Sequence, residues 1–211
     1  MRRVMALITN LLTAYKNRPD LVHPLAILVS ILSKPPLGRR LLLEVGVGVP
    51  LYAAFKTVAL LLSSANAPAL TRPAALRALH AVLITLYMLA NRLEGVASVG
   101  PHCLYEQVDV LHVTLLILTK FNRKPLLQCA ACRLLHAALR SPEYHARLHG
   151  SSQREGVVRL ISKTMDIYTY YSRLSNTSAE TKELFVDIVL QCRAVVELLN
   201  QTTSPSRPGP L

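Results

Sequence analysis

The chain has 211 residues, enough for one hydrophobic core, and 51% of them are hydrophobic against 17% charged. With 24 Lys and Arg against 12 Asp and Glu, the formal charge is +12, which favours anionic partners and leaves few carboxylates for acid/base chemistry. Mean hydropathy is +0.32, so the chain either buries helices on several sides or sits in a membrane.

Charge-free runs choose between these. The longest, 57 to 71, carries Ser63, Ser64, Asn66 and Pro68, and 45 to 55 is cut by Gly46, Gly48 and Pro50. Neither reaches the roughly 20 uninterrupted apolar residues of a bilayer helix, so burial in a protein core is the expectation and a membrane partner the minor alternative.

In chain order, Met1-Arg2-Arg3 followed by an apolar run to Leu12 has the charge pattern of a mitochondrial presequence, since no acid precedes Asp20. The Leu-Thr-Ala-Tyr-Lys-Asn that follows is a poor secretory cleavage site. The apolar run itself sets Val4, Leu7, Ile8 and Leu11 on one face of an ordinary first helix, and a helix over 2–16 is the reading adopted. A second helix is expected over 20–32, with Pro24 in its first turn, then a short helix over 36–43 and a Gly-Val-Gly-Val-Pro turn. A long helix over 51–64 and a small-residue linker over 65–70 follow.

Thr71 before Pro73 marks a helix start, and Leu76, Leu79, Leu83, Leu86 and Ala90 form its buried stripe. Residues 93–104 read as a loop, 105–121 as one helix and 125–139 as its partner. A second Pro-led short helix precedes a loop over 150–153 and a long helix over 154–174. Thr177 and Glu180 have capping-box spacing before a last helix over 178–199. The Pro- and Ser-rich 200–211 reads as a disordered tail after a single domain over 1–199. No stretch alternates long enough to be a strand, so the fold class is all-α.

One pattern occurs twice. Leu32, Pro35, Arg40 and Leu41 recur as Leu139, Pro142, Arg147 and Leu148, and Gly48-Val49 recurs as Gly156-Val157 after one inserted residue. An apolar helix, a Pro-led short helix ending in Arg-Leu, and a Gly-Val opening to a long helix resemble the armadillo repeat. The resemblance implies a short armadillo- or HEAT-like α-solenoid of stacked units that acts as a non-catalytic protein-interaction scaffold. The usual Asn of the third helix is missing at matching places. The first helix has no evident polar capping face, which reads as a segment of a longer array. The Leu/Cys/His-rich helices with few acids are also similar in texture to the meiosis-inhibitor scaffold proteins, which implies a nuclear, meiotic-chromosome setting.

In the armadillo resemblance the third helix lines the ligand groove, which nominates Lys56, Arg159, Lys163 and Tyr170 as partner-binding residues. Arg159 and Lys163 are i, i+4, and Tyr170 lies two turns further along. The implied partner is a protein or peptide, acidic given the charge. Nucleic acid bound by the same basic face is the second reading. A solvated face with Glu155 and Arg159 as an i, i+4 pair accounts for the same residues.

Cys129, Cys132 and His136 share one helical face, with Cys103 or His102 near enough in sequence to complete a zinc set. They lie inside a helix among Ala and Leu, where cysteine acts as a small hydrophobe, so the core reading is taken and no metal or cofactor is expected. Four scattered Cys without a secretory signal point to a reducing, nuclear or cytoplasmic compartment. No catalytic triad, phosphate-binding Gly loop or spaced carboxylate pair occurs, and Gly46-x-Gly48 lacks the third Gly of a nucleotide fingerprint.

Overall fold

The computed structural model describes residues 1–64, 71–91, 103–174 and 177–201. Among them are eleven helices and no strand: α1 (Arg2–Tyr15), α2 (Pro19–Leu32), α3 (Pro36–Glu44), α4 (Gly48–Ser63), α5 (Thr71–Ala90), α6 (Leu104–Gln107), α7 (Val110–Lys120), α8 (Pro125–Leu139), α9 (Pro142–His149), α10 (Arg154–Ser172) and α11 (Ala179–Asn200). The expected linker over 65–70, most of the loop over 93–104 and the tail from 202 lie outside the described residues.

Local chemistry sets most helix starts. Pro19, Pro36, Pro125 and Pro142 each open a helix at the position where a missing N–H costs nothing. Asp109 caps α7 by accepting the His112 N–H at 2.9 Å, and Ser141 caps α9 from Tyr144. Where the structure departs from the sequence expectations, the cause is equally local. Helix α2 begins at Pro19, so Pro24 lies inside it rather than in its first turn. The expected helix over 105–121 is two helices, because Val108 is extended and Asp109 starts α7 afresh. Gly48 and Pro50 belong to the first turn of α4, not to a turn before it. Helix α11 is capped by Ser178, whose Oγ accepts the Thr181 N–H, one residue beyond the expected Thr177–Glu180 box.

Helices α2, α5, α8 and α11 form one row, each packed against the next, and α1, α4, α7 and α10 lie over that row, packed respectively on α2, α5, α8 and α11. The short helices α3, α6 and α9 connect the rows. Thus the pair that packs along its length after each short helix is α4–α5, α7–α8 and α10–α11. The sequence copies had grouped the chain one helix earlier, as α2–α3–α4 and α8–α9–α10.

The core runs along the row. Eleven of the fifteen residues of α8 are buried, including Leu127, Cys132, Leu134 and Leu135, because α5, α7 and α11 cover it on three sides. In α5 the expected stripe is buried at Leu79, Leu83, Leu86 and Ala90, with Leu76 half-buried. By length and composition α5 could span a bilayer, yet 56% of that window is buried by protein, chiefly α2, α4 and α8. Its Thr85 hydroxyl, fully buried, lies 2.8 Å from the Ala26 carbonyl of α2 and 2.7 Å from that of Ala81.

The two sequence copies share helix order but not register. With Pro36 and Pro142 both at the first helical position, Arg39 matches His145 and Leu42 matches Leu148, and all four are buried. Arg40 instead points out to Glu44 at 2.9 Å. The closing turns differ too: Gly46 has φ +72, a left-handed conformation that glycine adopts without strain, whereas Gly150 has φ −77.

Candidate functional site

The four residues nominated from sequence are all exposed on the overlying row. The Lys56 ammonium of α4 lies 4.6 Å over the Tyr52 ring, which meets His112 of α7 edge-on at 6.3 Å. Arg159, Lys163 and Tyr170 line one outward stripe of α10. Tyr170 is 64% exposed and its ring is 5.9 Å from Tyr171, which continues to Phe185 of α11. Helix α7 lies between these two groups, packing on α10 and touching Tyr52 of α4, so Lys56 and the α10 residues do not converge on one spot.

A different set converges along the inner row. The segment Arg77-Ala-Leu-His80-Ala-Val-Leu83 of α5 returns in α8 as Arg133-Leu-Leu-His136-Ala-Ala-Leu139. In each copy the Leu before His and the closing Leu are buried, while Arg and His at i, i+3 occupy the accessible stripe. The repeat of 56 residues is a signal the sequence reading missed, because the Pro-led copies 107 residues apart span about two such units. Helix α2 offers His23 at the matching place, and Gln191 stands there in α11.

Between α2 and α5, His23, Ile27, Arg77, His80 and Ile84 line a cleft of about 220 Å³. Burial lowers the His80 pKa below the ordinary histidine value, and neighbouring His23 adds to the shift, so the His80 ring stays neutral more readily than a free imidazole. Further along α5, the Asn91 amide donates to the Tyr87 hydroxyl at 2.9 Å.

Between α8 and α11 the polar groups are already matched. The Arg133 guanidinium donates to Asp187 at 2.6 Å, the Cys129 thiol to the same oxygen at 3.0 Å, and the Gln191 amide to the other oxygen at 3.3 Å. Burial works to raise the Asp187 pKa, but these donors together outweigh it and hold the carboxyl below its usual value. Burial and the adjacent carboxylate push the Cys129 thiol up to about 12, far from a reactive thiolate. His136 Nδ1 is 2.9 Å from Gln191 Oε1; an amide oxygen only accepts, so Nδ1 carries the proton.

Cys132 is fully buried with its sulfur 3.6 Å from that of Cys192 of α11, a pairing of free thiols inside the core. Among the described residues no three His, Cys, Asp or Glu side chains are placed to share a metal ion.

Beside the short helices α6 and α9, a cleft of about 530 Å³ is bounded by Tyr52, Tyr105, Glu106, Asp109, Tyr144 and Arg147. Arg147 fills part of it, 5.1 Å over the Tyr144 ring and 3.6 Å from Glu106. Burial raises the Tyr105 and Tyr144 pKa values well above the ordinary phenol range, so both rings remain hydroxyl donors.

What the inner row can do chemically is bind charge. Helices α2, α5 and α8 present imidazoles and guanidiniums, and α11 reverses the sign with Glu183 and Asp187. Compared with known proteins, the chain matches no described family, no curated protein and no solved structure.

Proposed function

We propose that the protein is a non-catalytic, armadillo-like helical-repeat scaffold that holds an acidic segment of a protein partner across α2, α5 and α8. The units are α1–α2, α3–α5, α6–α8 and α9–α11, each ending on a helix of the inner row. One observation carries this reading: Arg-x-x-His recurs at the same place on two neighbouring inner helices, which sets a guanidinium and an imidazole at regular intervals, with Arg77 exposed and Arg133 tied to Asp187. A preformed surface loses little ordering entropy on binding, and evenly spaced donors suit an extended chain better than a compact ligand. The Arg133–Asp187 pair at the α8–α11 boundary limits the acidic segment to the first three helices of the row.

The test is a fluorescence-anisotropy titration with a labelled Glu-rich peptide, comparing Arg77→Glu with a double charge reversal at Arg159 and Lys163. The expectation is a loss of about tenfold for Arg77→Glu, as for a central charge contact, and little change for the pair on α10. The opposite ranking moves the working face to α10, and unchanged affinity in both refutes the acidic-segment reading.

The net charge of +12 favours a second reading, direct nucleic-acid binding. Duplex DNA in the same titration decides it. An affinity that falls by about 10³ or more between about 50 and 200 mM salt, with no saturable peptide binding, replaces the scaffold by a nucleic-acid binder.

A further inference from the structure

The first two helices carry an exposed apolar surface that meets the inner-row cleft only at Ile27. In α1, Met5, Ile8 and Leu12 are buried toward the body, yet Val4 and Leu7 on the adjoining stripe are 54% and 57% exposed. In α2, Val22, Ala26 and Val29 are buried, while Ile27, Leu28 and Ile31 are 41–52% exposed. Each helix thus has two apolar stripes, of which one meets the protein and the other meets solvent. A helix apolar on more than one side is expected to be covered on more than one side. The protein covers one side, where α1 packs on α3 and α4 and α2 packs on α5; among the described residues, no further helix lies against the other.

We infer that the outer face of the α1–α2 hairpin docks a partner's amphipathic helix whose apolar stripe is flanked by acidic side chains. The spacing argues for a helix: apolar residues at i, i+3 and i+4 on two antiparallel neighbours leave a furrow of the kind that receives a third helix, and the inner side of this hairpin receives α4 and α5 with the same residue types. The charge selects the flanks. Exposed Arg2, Arg3, Lys16 and Lys34 stand at or next to the ends of the two helices, and the acids of this region are already matched, Asp20 by Arg18 and Glu44 by Arg40, each at 2.9 Å. A second copy of the chain would set like charges against like, which disfavours self-association. This inference does not depend on the acidic segment held by α5 and α8.

The test uses the full chain and a synthetic helix with a Leu stripe at i, i+3, i+4 and i+7, made once with Glu flanks and once with Lys flanks. Anisotropy titration is expected to show saturable binding of the Glu form and at least about tenfold weaker binding of the Lys form. Leu7→Gln and Ile31→Gln, checked for unchanged melting, are each expected to weaken the Glu form by about tenfold, as central apolar contacts do. Arg77→Glu leaves this binding unchanged and separates the two surfaces. Equal binding of the Glu and Lys forms, or indifference to both Gln variants, overturns the inference. So does a dimer in sedimentation equilibrium that Leu7→Gln abolishes, or flotation with anionic vesicles lost in the same variant without any peptide binding.

Discussion

Gln107 fastens the joint between α3 and α4 from a distance of about sixty residues in sequence, and replacing it with Leu tests how that joint is held. Its Oε1 accepts the Gly48 N–H at 2.9 Å, one of the unpaired donors at the start of α4. Its Nε2 donates to the Leu43 carbonyl at 3.1 Å, near the end of α3. One amide side chain therefore satisfies both sides of the turn through Gly46. Gly48 is buried, and a Cβ there would sit 2.6 Å from Gln107 Oε1, so water has no room to take over. Leucine keeps the volume and loses both bonds. The Gly48 N–H is orphaned at about 1–3 kcal/mol, while the Leu43 carbonyl keeps the Gly46 N–H at 3.0 Å and loses only its second donor; with apolar contact offsetting part of this, the net loss is about 1.5–3 kcal/mol. For a chain of this size that lowers Tm by about 3–12 °C, measured by circular dichroism with a urea titration alongside. Gln107→Glu sharpens the test. Its carboxylate still accepts from Gly48 but faces the Leu43 carbonyl with no donor, so the charged form is disfavoured and its pKa rises above the unfolded value of about 4.3. The folded state then binds the proton more tightly, and the variant recovers stability as pH falls through that raised pKa toward about 4. A Leu variant melting within about 2 °C of wild type, or a Glu variant whose deficit does not shrink in acid, refutes the account.

Two glycines are expected to respond oppositely to alanine. A Cβ at Gly38 collides with the Leu32 carbonyl oxygen, so Gly38→Ala should cost about 1–3 kcal/mol by urea unfolding, whereas Gly156, exposed in the first turn of α10 with nothing within 4 Å, should gain about 0.5–1 kcal/mol. His80 predicts a pH dependence. Its pKa is lowered in the folded state, so the unfolded chain binds the proton more readily, and stability is full above the unfolded pKa of about 6.5 and declines as pH falls through the lowered one. His80→Gln should flatten the urea midpoint between about pH 7.5 and 5.5, and an unchanged slope excludes His80 as its source.

The residue order by itself determined that the chain is all-α, where most helices begin and, in α5, α8 and α11, which stripe is buried; in α1 the expected stripe of Val4, Leu7, Ile8 and Leu11 gave way to Met5, Ile8 and Leu12. These are local matters: Pro at four helix starts leaves no useful N–H to lose, and Leu79, Leu83 and Leu86 face inward because their spacing puts them on one side of any helix. The burial of Cys129 and Cys132 among small apolar neighbours was legible for the same reason.

Which helices become neighbours was decided only by tertiary packing. The Pro-led copies suggested a unit ending on α4 and α10, and so placed the candidate face at Lys56, Arg159, Lys163 and Tyr170. Packing instead lines α2, α5, α8 and α11 side by side, with α8 at the centre covered by α5, α7 and α11, while Lys56, Arg159 and Lys163 stay on exposed flanks of α4 and α10. The register of α3 against α9 was likewise hidden, since a doubled Pro35-Pro36 offers two starts and only the burial of Leu42 and Leu148 chooses between them. Periodicity fixes which side of a helix is apolar; what covers that side depends on shape and volume brought together from distant parts of the chain, as with Asp187 meeting Arg133 and Gln107 closing the turn at Gly46.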